Sequence, residues 1–170
     1  MKLFASIFFP FIIFPAFNQQ EFTINETGLA PSASTQEFEA VSKGGLYQKT
    51  LTWIEENRTP FKLVVEEQIE QEAISLSSTK WNAVYKDEAY YIVQYTITLK
   101  FQENGYTFEP TAIRLKLNSK YDMGWQDFDH SNTSAYFKKG KLIKKYKNYI
   151  PPMTDHLNEL SLSLNNYLSN

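Results

Sequence analysis

Cysteine is absent from the 170-residue chain, and histidine occurs only at His130 and His156. The first absence removes thiol catalysis, thiolate metal sites and disulfide staples. The second leaves little for a zinc or general-base centre, because the two histidines are far apart and not at ligand spacing. Glycine is scarce, at six residues, and none of them forms a phosphate-binding run. No nucleophile-elbow motif is present either. Charge of either sign is nearly balanced, at a formal −2, so a nucleic-acid partner is not expected. No cofactor and no metal is expected.

What is present begins with "MKLFASIFFPFIIFPAFNQQ". Lys2 precedes an apolar run from Leu3 to Phe17 that is short for a membrane-spanning helix and is broken by Pro10 and Pro15. It reads as a secretory signal peptide over residues 1–18, with Ala16 at the outer position of a poor but usable cleavage site. The expected location is the periplasm or the extracellular space of a bacterial envelope. No transmembrane segment is expected after signal removal, and no Cys follows the run to carry a lipid. About 152 residues then remain, one domain over 19–170, long enough to bury roughly two-thirds of its unfolded surface.

The middle of the chain has the period of a half-buried sheet. Tyr91, Val93, Tyr95, Ile97, Leu99 and Phe101 alternate with Gln94, Thr96, Thr98 and Lys100. Asn104-Gly105 suits a tight hairpin with two positive φ angles, which would set Phe101 opposite Phe108. Keeping the apolar faces matched beyond that pair requires one extra residue near Pro110 to Ala112, hence a bulge, after which Ile97 meets Ile113 and Tyr95 meets Leu115. Trp81, Ala83 and Tyr85 alternate inward in the same sense, as do Phe61, Leu63, Val65 and Ile69, with Trp81 facing Tyr95. Four antiparallel strands result, about 61–71, 73–85, 90–103 and 106–118. Their second face, with Thr96, Thr98, Lys100, Thr107 and Glu109, is wet or binds something polar.

Two helices are expected over the apolar face. One runs from Gly44 or Gly45 to Asn57, capped by Ser42 and closed before Pro60, with Leu46, Thr50, Leu51, Trp53 and Ile54 on one side. Trp53 is therefore expected in the core and not on a ligand platform. The other helix covers Met153 to Leu168, repeating Met153, Leu157, Leu160, Leu164 and Leu168. A short strand at Glu21 to Asn25 and the polar connector "ETGLAPSASTQEFEAVSK" precede the first helix.

This order of β, α, four β and α, with a signal peptide ahead of it and "SKGGLYQKTLTWIEEN" at the first helix, resembles a family of exported bacterial proteins. That family is grouped as a domain of unknown function with a fold like the TATA-box-binding protein (TBP). The resemblance covers residues 20–118, and it implies an α+β class, β-α-β-β-β-β-α, a curved antiparallel sheet with helices on one face. It departs at Gln71-Glu72-Ala73, where a Gly-containing turn is expected. It brings an envelope location and no catalytic residue.

Chemistry has one other place to reside, the aperiodic loop within residues 119–150. Tyr121, Trp125 and Phe128 are interleaved there with Asp122, Asp127, Asp129 and His130. The alternating order of a calcium loop is missing. Aromatics beside acids suit a sugar through stacking and hydroxyl contacts. Lys138, Lys139, Lys141, Lys144, Lys145 and Lys147 follow as a basic patch, either a solvated surface or a contact for phosphate-bearing lipid or polysaccharide. A non-catalytic binding module is expected, with an envelope protein or glycan held by the polar sheet face or by loop 121–137. The alternative is a glycan hydrolase using Asp127 and Asp129, although two carboxyls at i, i+2 rarely straddle a glycosidic bond.

Overall fold

A computed structural model describes residues 20–121 and 124–170. The expected signal segment and Asp122 lie outside the described residues. Strands β1 Thr23–Asn25, β2 Gly28–Ala30 and β3 Ser34–Glu37 precede helix α1, Lys43–Phe61. β4 Val64–Ile69, β5 Ala73–Lys86, β6 Ala89–Gln102 and β7 Gly105–Leu117 follow. The remainder is β8 Gln126–Asp127, β9 Phe137–Lys138, β10 Lys141–Leu142 and α2 Pro152–Leu168.

The main sheet is antiparallel in the order β3-β7-β6-β5-β4, with β8 added to β7. The short strand expected at Glu21 to Asn25 is present as Thr23–Asn25 in the small β1–β2 hairpin, and the strand beside β7 is Ser34–Glu37 from the polar connector. Its four residues carry no apolar alternation, so only the neighbouring strand makes them extended. Thr35 and Thr107 meet across this pair, with their hydroxyl oxygens 3.1 Å apart. β3 also explains Gly105. A Cβ at that position would lie 2.6 Å from the Gln36 carbonyl oxygen, so the glycine admits a close strand and does not supply a positive φ. The two-residue loop is Glu103-Asn104, and of the expected Asn104-Gly105 pair only Asn104 is left-handed, at φ 59°.

The expected bulge opposite Thr96 and Ile97 is present: Ile97 pairs with Pro110 and Thr96 with Ala112. The register differs from expectation by two residues. Phe101 faces Tyr106, Leu99 faces Phe108 and Tyr95 faces Ile113. A shift of two leaves every side chain on its face, so apolar alternation is blind to it.

Both helices pack on the face that holds Tyr95, Ile97 and Leu99. Ser42 caps α1 by accepting the Gly45 N–H at 3.1 Å. The helix outlasts its expected end at Asn57. Pro60 sits in the last turn, where the missing N–H costs one bond, and Lys62 stops the helix in a left-handed conformation, bonding back to Arg58 and Thr59. Phe61 therefore closes a helix and does not begin a strand. Leu46, Tyr47, Thr50, Trp53 and Ile54 form the buried stripe of α1, and the Trp53 Nε1–H donates to Ser163 Oγ of α2 at 3.1 Å. From α2, Met153, Leu157, Leu160, Leu164 and Leu168 enter the same core. The Tyr95 hydroxyl donates to the Met153 carbonyl at 2.9 Å, fixing the start of α2 over β6. No helix among the described residues is long and apolar enough to cross a membrane.

Candidate functional site

Neither helix covers the other face of the sheet, so its composition decides what it can meet. Cross-strand rows there read Thr107, Lys100, Ala73 and Glu109, Thr98, Ser75 and Arg114, Gln94, Thr79. Polar partners are satisfied locally: Lys100 pairs with Glu109, and Ser77 donates to Glu66 at 2.6 Å. A bulge at Glu66 reverses the alternation of β4, so Ile69 lies on the open face with Ala73 and is exposed, and Val64 is exposed as well. The inward reading of Ile69 fails for that reason.

The end of the face near the β5–β6 turn is different. Lys80 pairs with Val93 and Val84 with Tyr91, so residues 81–83 oppose Ile92 alone. Asn82 takes a left-handed φ of 53° within this bulge. Trp81, expected inward against Tyr95, is instead 59% exposed, and Ser78 takes the place opposite Tyr95. Beyond the bulge, Val84 and Tyr91 face the core, which turns Tyr85 and Tyr90 to the open side. Their rings lie 4.9 Å apart, and Tyr90 is 52% exposed. The Asn118 amide donates to Asn82 Oδ1 at 2.6 Å, linking the end of β7 to β5 across β6.

Trp125 extends this row from the far side. β8 pairs with β7 so that Asp127 faces Arg114 and Gln126 faces Leu115, which sets Trp125 beside Lys116. The Lys116 ammonium lies 6.0 Å from the Trp125 ring centre. Lys116 pairs in turn with Ile92, so the row runs Trp125, Lys116, Ile92 and the Trp81 bulge. Three strand spacings, about 14 Å, separate its ends.

The other loop residues are placed differently. Tyr121 is exposed. Phe128, expected as a ligand contact, is buried: its ring packs on Tyr136 and Tyr149 at centroid distances of 5.9 and 6.2 Å, and its N–H bonds the Ile113 carbonyl. It cannot stack on a ligand without leaving this aromatic cluster. Asp127 Oδ1 lies 3.2 Å from Arg114 Nε, an exposed pair of small energetic weight. Asp129 accepts bonds from Ser131 Oγ, Ser131 N and Asn132 N. The Ser131 bonds first of all hold its carboxyl below the usual range. Both acids are thus engaged in shaping the loop. The His130 carbonyl accepts the Leu29 N–H at 2.8 Å, and a Cβ at Gly28, whose φ is 128°, would lie 2.7 Å from that oxygen. Among the described residues no group of three or more acids and histidines could hold a metal ion.

The six lysines do not form a single stripe. Lys138, Lys139 and Lys141 belong to the β9–β10 hairpin, turned by left-handed Lys139 and Gly140. Lys144, Lys145 and Lys147 sit on the following turn. With Tyr85, Lys86 and Asn148 they line an open depression of about 490 Å³, along with Asp87.

One arrangement had no reading in the sequence. Ser78 Oγ lies 2.7 Å from His156 Nε2, and His156 Nδ1 lies 3.3 Å from Glu159 Oε2. The order serine, histidine, carboxylate resembles a hydrolytic triad, but Ser78 is fully buried and its hydroxyl donates to the Phe61 carbonyl at 2.6 Å. Ser78 Oγ must then accept the Nε2–H, and the group ties α2 to β5 and the end of α1. The clue available was His156 on the apolar side of α2, within one turn of Met153 and Leu160. Burial depresses the His156 pKa below the usual 6.5; Lys80 adds to this, while the hydrogen bond and charge of Glu159 oppose it. Because the folded state holds this proton less tightly than the unfolded chain, stability falls as pH drops through about 6.5. Glu159 is shifted downward by its His156 and Lys80 partners, against the pull of its own desolvation, and its contribution is lost only below the carboxylate range. Thermal unfolding followed by circular dichroism should therefore show a midpoint that declines from pH 7.5 to pH 5. His156→Gln should flatten that decline, and an unchanged slope would assign it to other groups.

A scan of protein families finds no match to this chain, and a search of curated proteins finds none either. Solved structures do match. A DUF4468 family protein from Bacteroides ovatus superimposes with a TM-score of 0.67 at 14% identity, covering 81% of this chain and 85% of that one. A TBP-like protein from Parabacteroides distasonis superimposes with a TM-score of 0.56 at 18% identity, covering 81% of this chain and 91% of that one. At such identities the likeness speaks for the fold alone. With its antiparallel sheet, its two helices on one face and these neighbours, the chain has the TBP-like α+β fold that it shares with a DUF4468 domain of unknown function.

Proposed function

We propose that this protein is a non-catalytic recognition module of a bacterial envelope, which holds a polysaccharide on the open face of its sheet, at the end marked by Trp81, Tyr90 and Trp125. The observation that carries the reading is the exposure of Trp81. Ile74, Leu76 and Ser78 alternate toward the core, which carries Trp81 to the opposite side, so an indole stands in water at the mouth of a bulge on a face no helix covers. Large aromatics left in solvent are expensive in apolar surface and serve recognition well, because they present broad contact area at small entropic cost. Flat rings stack on the C–H faces of sugars. Beside them Asn82 and Asn118 supply amide donors and acceptors for hydroxyls. The apolar run at residues 3–17 supports export.

A microarray of bacterial and plant polysaccharides tests this. The mature wild-type protein should be retained on at least one glycan, and Trp81→Ala should lose the signal at least tenfold with an unfolding temperature within a few degrees of wild type. Retention that is indifferent to Trp81, or no retention anywhere on the array, would remove the reading.

A further inference from the structure

We infer that the polysaccharide this face takes is acidic, its carboxylate-bearing sugars reaching from the aromatic row into the basic depression formed by Lys86, Lys144, Lys145 and Lys147. The inference rests on the sheet-face reading above and adds the charge of the ligand. Its starting point is Tyr85, which belongs to both places: its ring lies 4.9 Å from that of Tyr90, and it also lines the depression. The two walls are joined by backbone, since the Tyr85 N–H bonds the Asn148 carbonyl at 2.8 Å. The turn that carries Lys144, Lys145 and Lys147 is therefore held against the end of β5.

The charge of the depression is strongly one-sided in a chain whose net charge is negative. Four ammonium groups face Asp87 as the acid on the wall, and Asp87 approaches Lys86 at 3.6 Å. The Lys86 ammonium also lies 5.2 Å from the ring centre of Tyr149, and that of Lys145 lies 4.7 Å from the ring of Tyr146. Among the described residues Lys144 and Lys147 form no ion pair. An anion entering here gains attraction without breaking a network. Lysine, a flexible point charge, suits carboxylates that recur at loosely fixed positions along a polymer.

Aromatics with lysines would also suit single-stranded nucleic acid, which needs a basic groove that tracks a backbone. Here the basic wall is local: on the rest of the open face Lys100 is paired with Glu109 and Arg114 with Asp127 among half-buried threonines, which offers no continuous basic groove to a phosphate chain. An alternating sugar polymer with charge at intervals fits the layout better.

Titration calorimetry of the mature protein with a panel of uronate oligomers, each paired with its carboxyl-reduced neutral form, decides the matter. At least one acidic oligomer should bind tenfold or more tightly than its neutral counterpart, with an affinity that falls as salt is added. Lys144→Gln, Lys145→Gln and Lys147→Gln together should bring the acidic form down to the neutral one, at an unchanged unfolding temperature. Equal binding of both forms, lost in Trp81→Ala, would overturn the acidic assignment and leave the sheet-face reading intact. Binding of neither form would overturn it as well, and the microarray would then judge the sheet face by itself. Tighter binding of a deoxythymidine 15-mer, or of vesicles rich in phosphatidylglycerol, would overturn it in favour of nucleic acid or lipid.

Discussion

Truncating Trp53 to Ala should lower the unfolding free energy by about 3–5 kcal/mol, the range for a fully buried large aromatic. The ring has 1% exposure, touches Phe61 at a centroid distance of 6.3 Å and spends its only polar atom on Ser163. Trp53→Ala opens a cavity between α1 and α2 and leaves the Ser163 hydroxyl without that donor. Urea denaturation monitored by the remaining tryptophans and by circular dichroism would measure it. A loss under about 1 kcal/mol with the fold intact is incompatible with a core of this kind. Trp53→Phe, which keeps most of the volume, should recover more than half of the loss.

Phe128→Ala should be nearly as costly, at about 3 kcal/mol, whereas Trp125→Ala should stay within about 1 kcal/mol. The two residues are three apart in one loop and look alike in sequence. Phe128 sits in a ring cluster with Tyr136 and Tyr149, and Tyr149 also meets Tyr91 of β6. Removing it should loosen the whole segment from β8 to α2. Trp125 lies over Lys116 on the open face and is only half-buried. Paired denaturation curves would show the contrast, and equal costs would mean that the loop is core on both of its sides. The double variant should therefore unfold several degrees early, so the loop cannot be tested as a docking site by removing both rings together.

The sequence made the long strands and both helices legible because their apolar residues recur at the spacing of one buried face. Tyr91 to Phe101 alternates cleanly, and the stripe of α2 needs no tertiary context. Facts that alternation does not encode escaped it. The register of β6 on β7 differs by two, a slip that leaves each residue facing the same way. The bulge at Glu66 reverses the faces beyond it and moved Ile69 outward. The bulge at residues 81–83 adds two residues and keeps the phase, with Lys80 and Val84 both on the core side. Trp81 is outward because it follows the alternation of Ile74, Leu76 and Ser78, one residue out of step with the inward reading. Asn82 in the middle of an apolar run was the available hint, since Asn tolerates the left-handed backbone such a bulge needs. β3 went unread because Ser34–Glu37 owes its shape to β7. The candidate site was half legible: Trp125 is on the open face and Phe128 is not, and only the pairing of β8 with β7 separates them.

The Glu66 bulge has a further meaning at the margin of the sheet. β4 is the outermost strand on its side, with Val64 and Ile69 in solvent, a combination that invites another chain to add itself and begin a fibril. The extra residue breaks the ladder in the middle of a six-residue strand, and Glu66, Glu67 and Glu70 bring negative charge to the break and to the residues after it. A second β4 laid alongside would meet carboxylates against carboxylates and a kinked row of donors. A chain that folds among its own copies is thereby guarded against self-association at its most exposed edge.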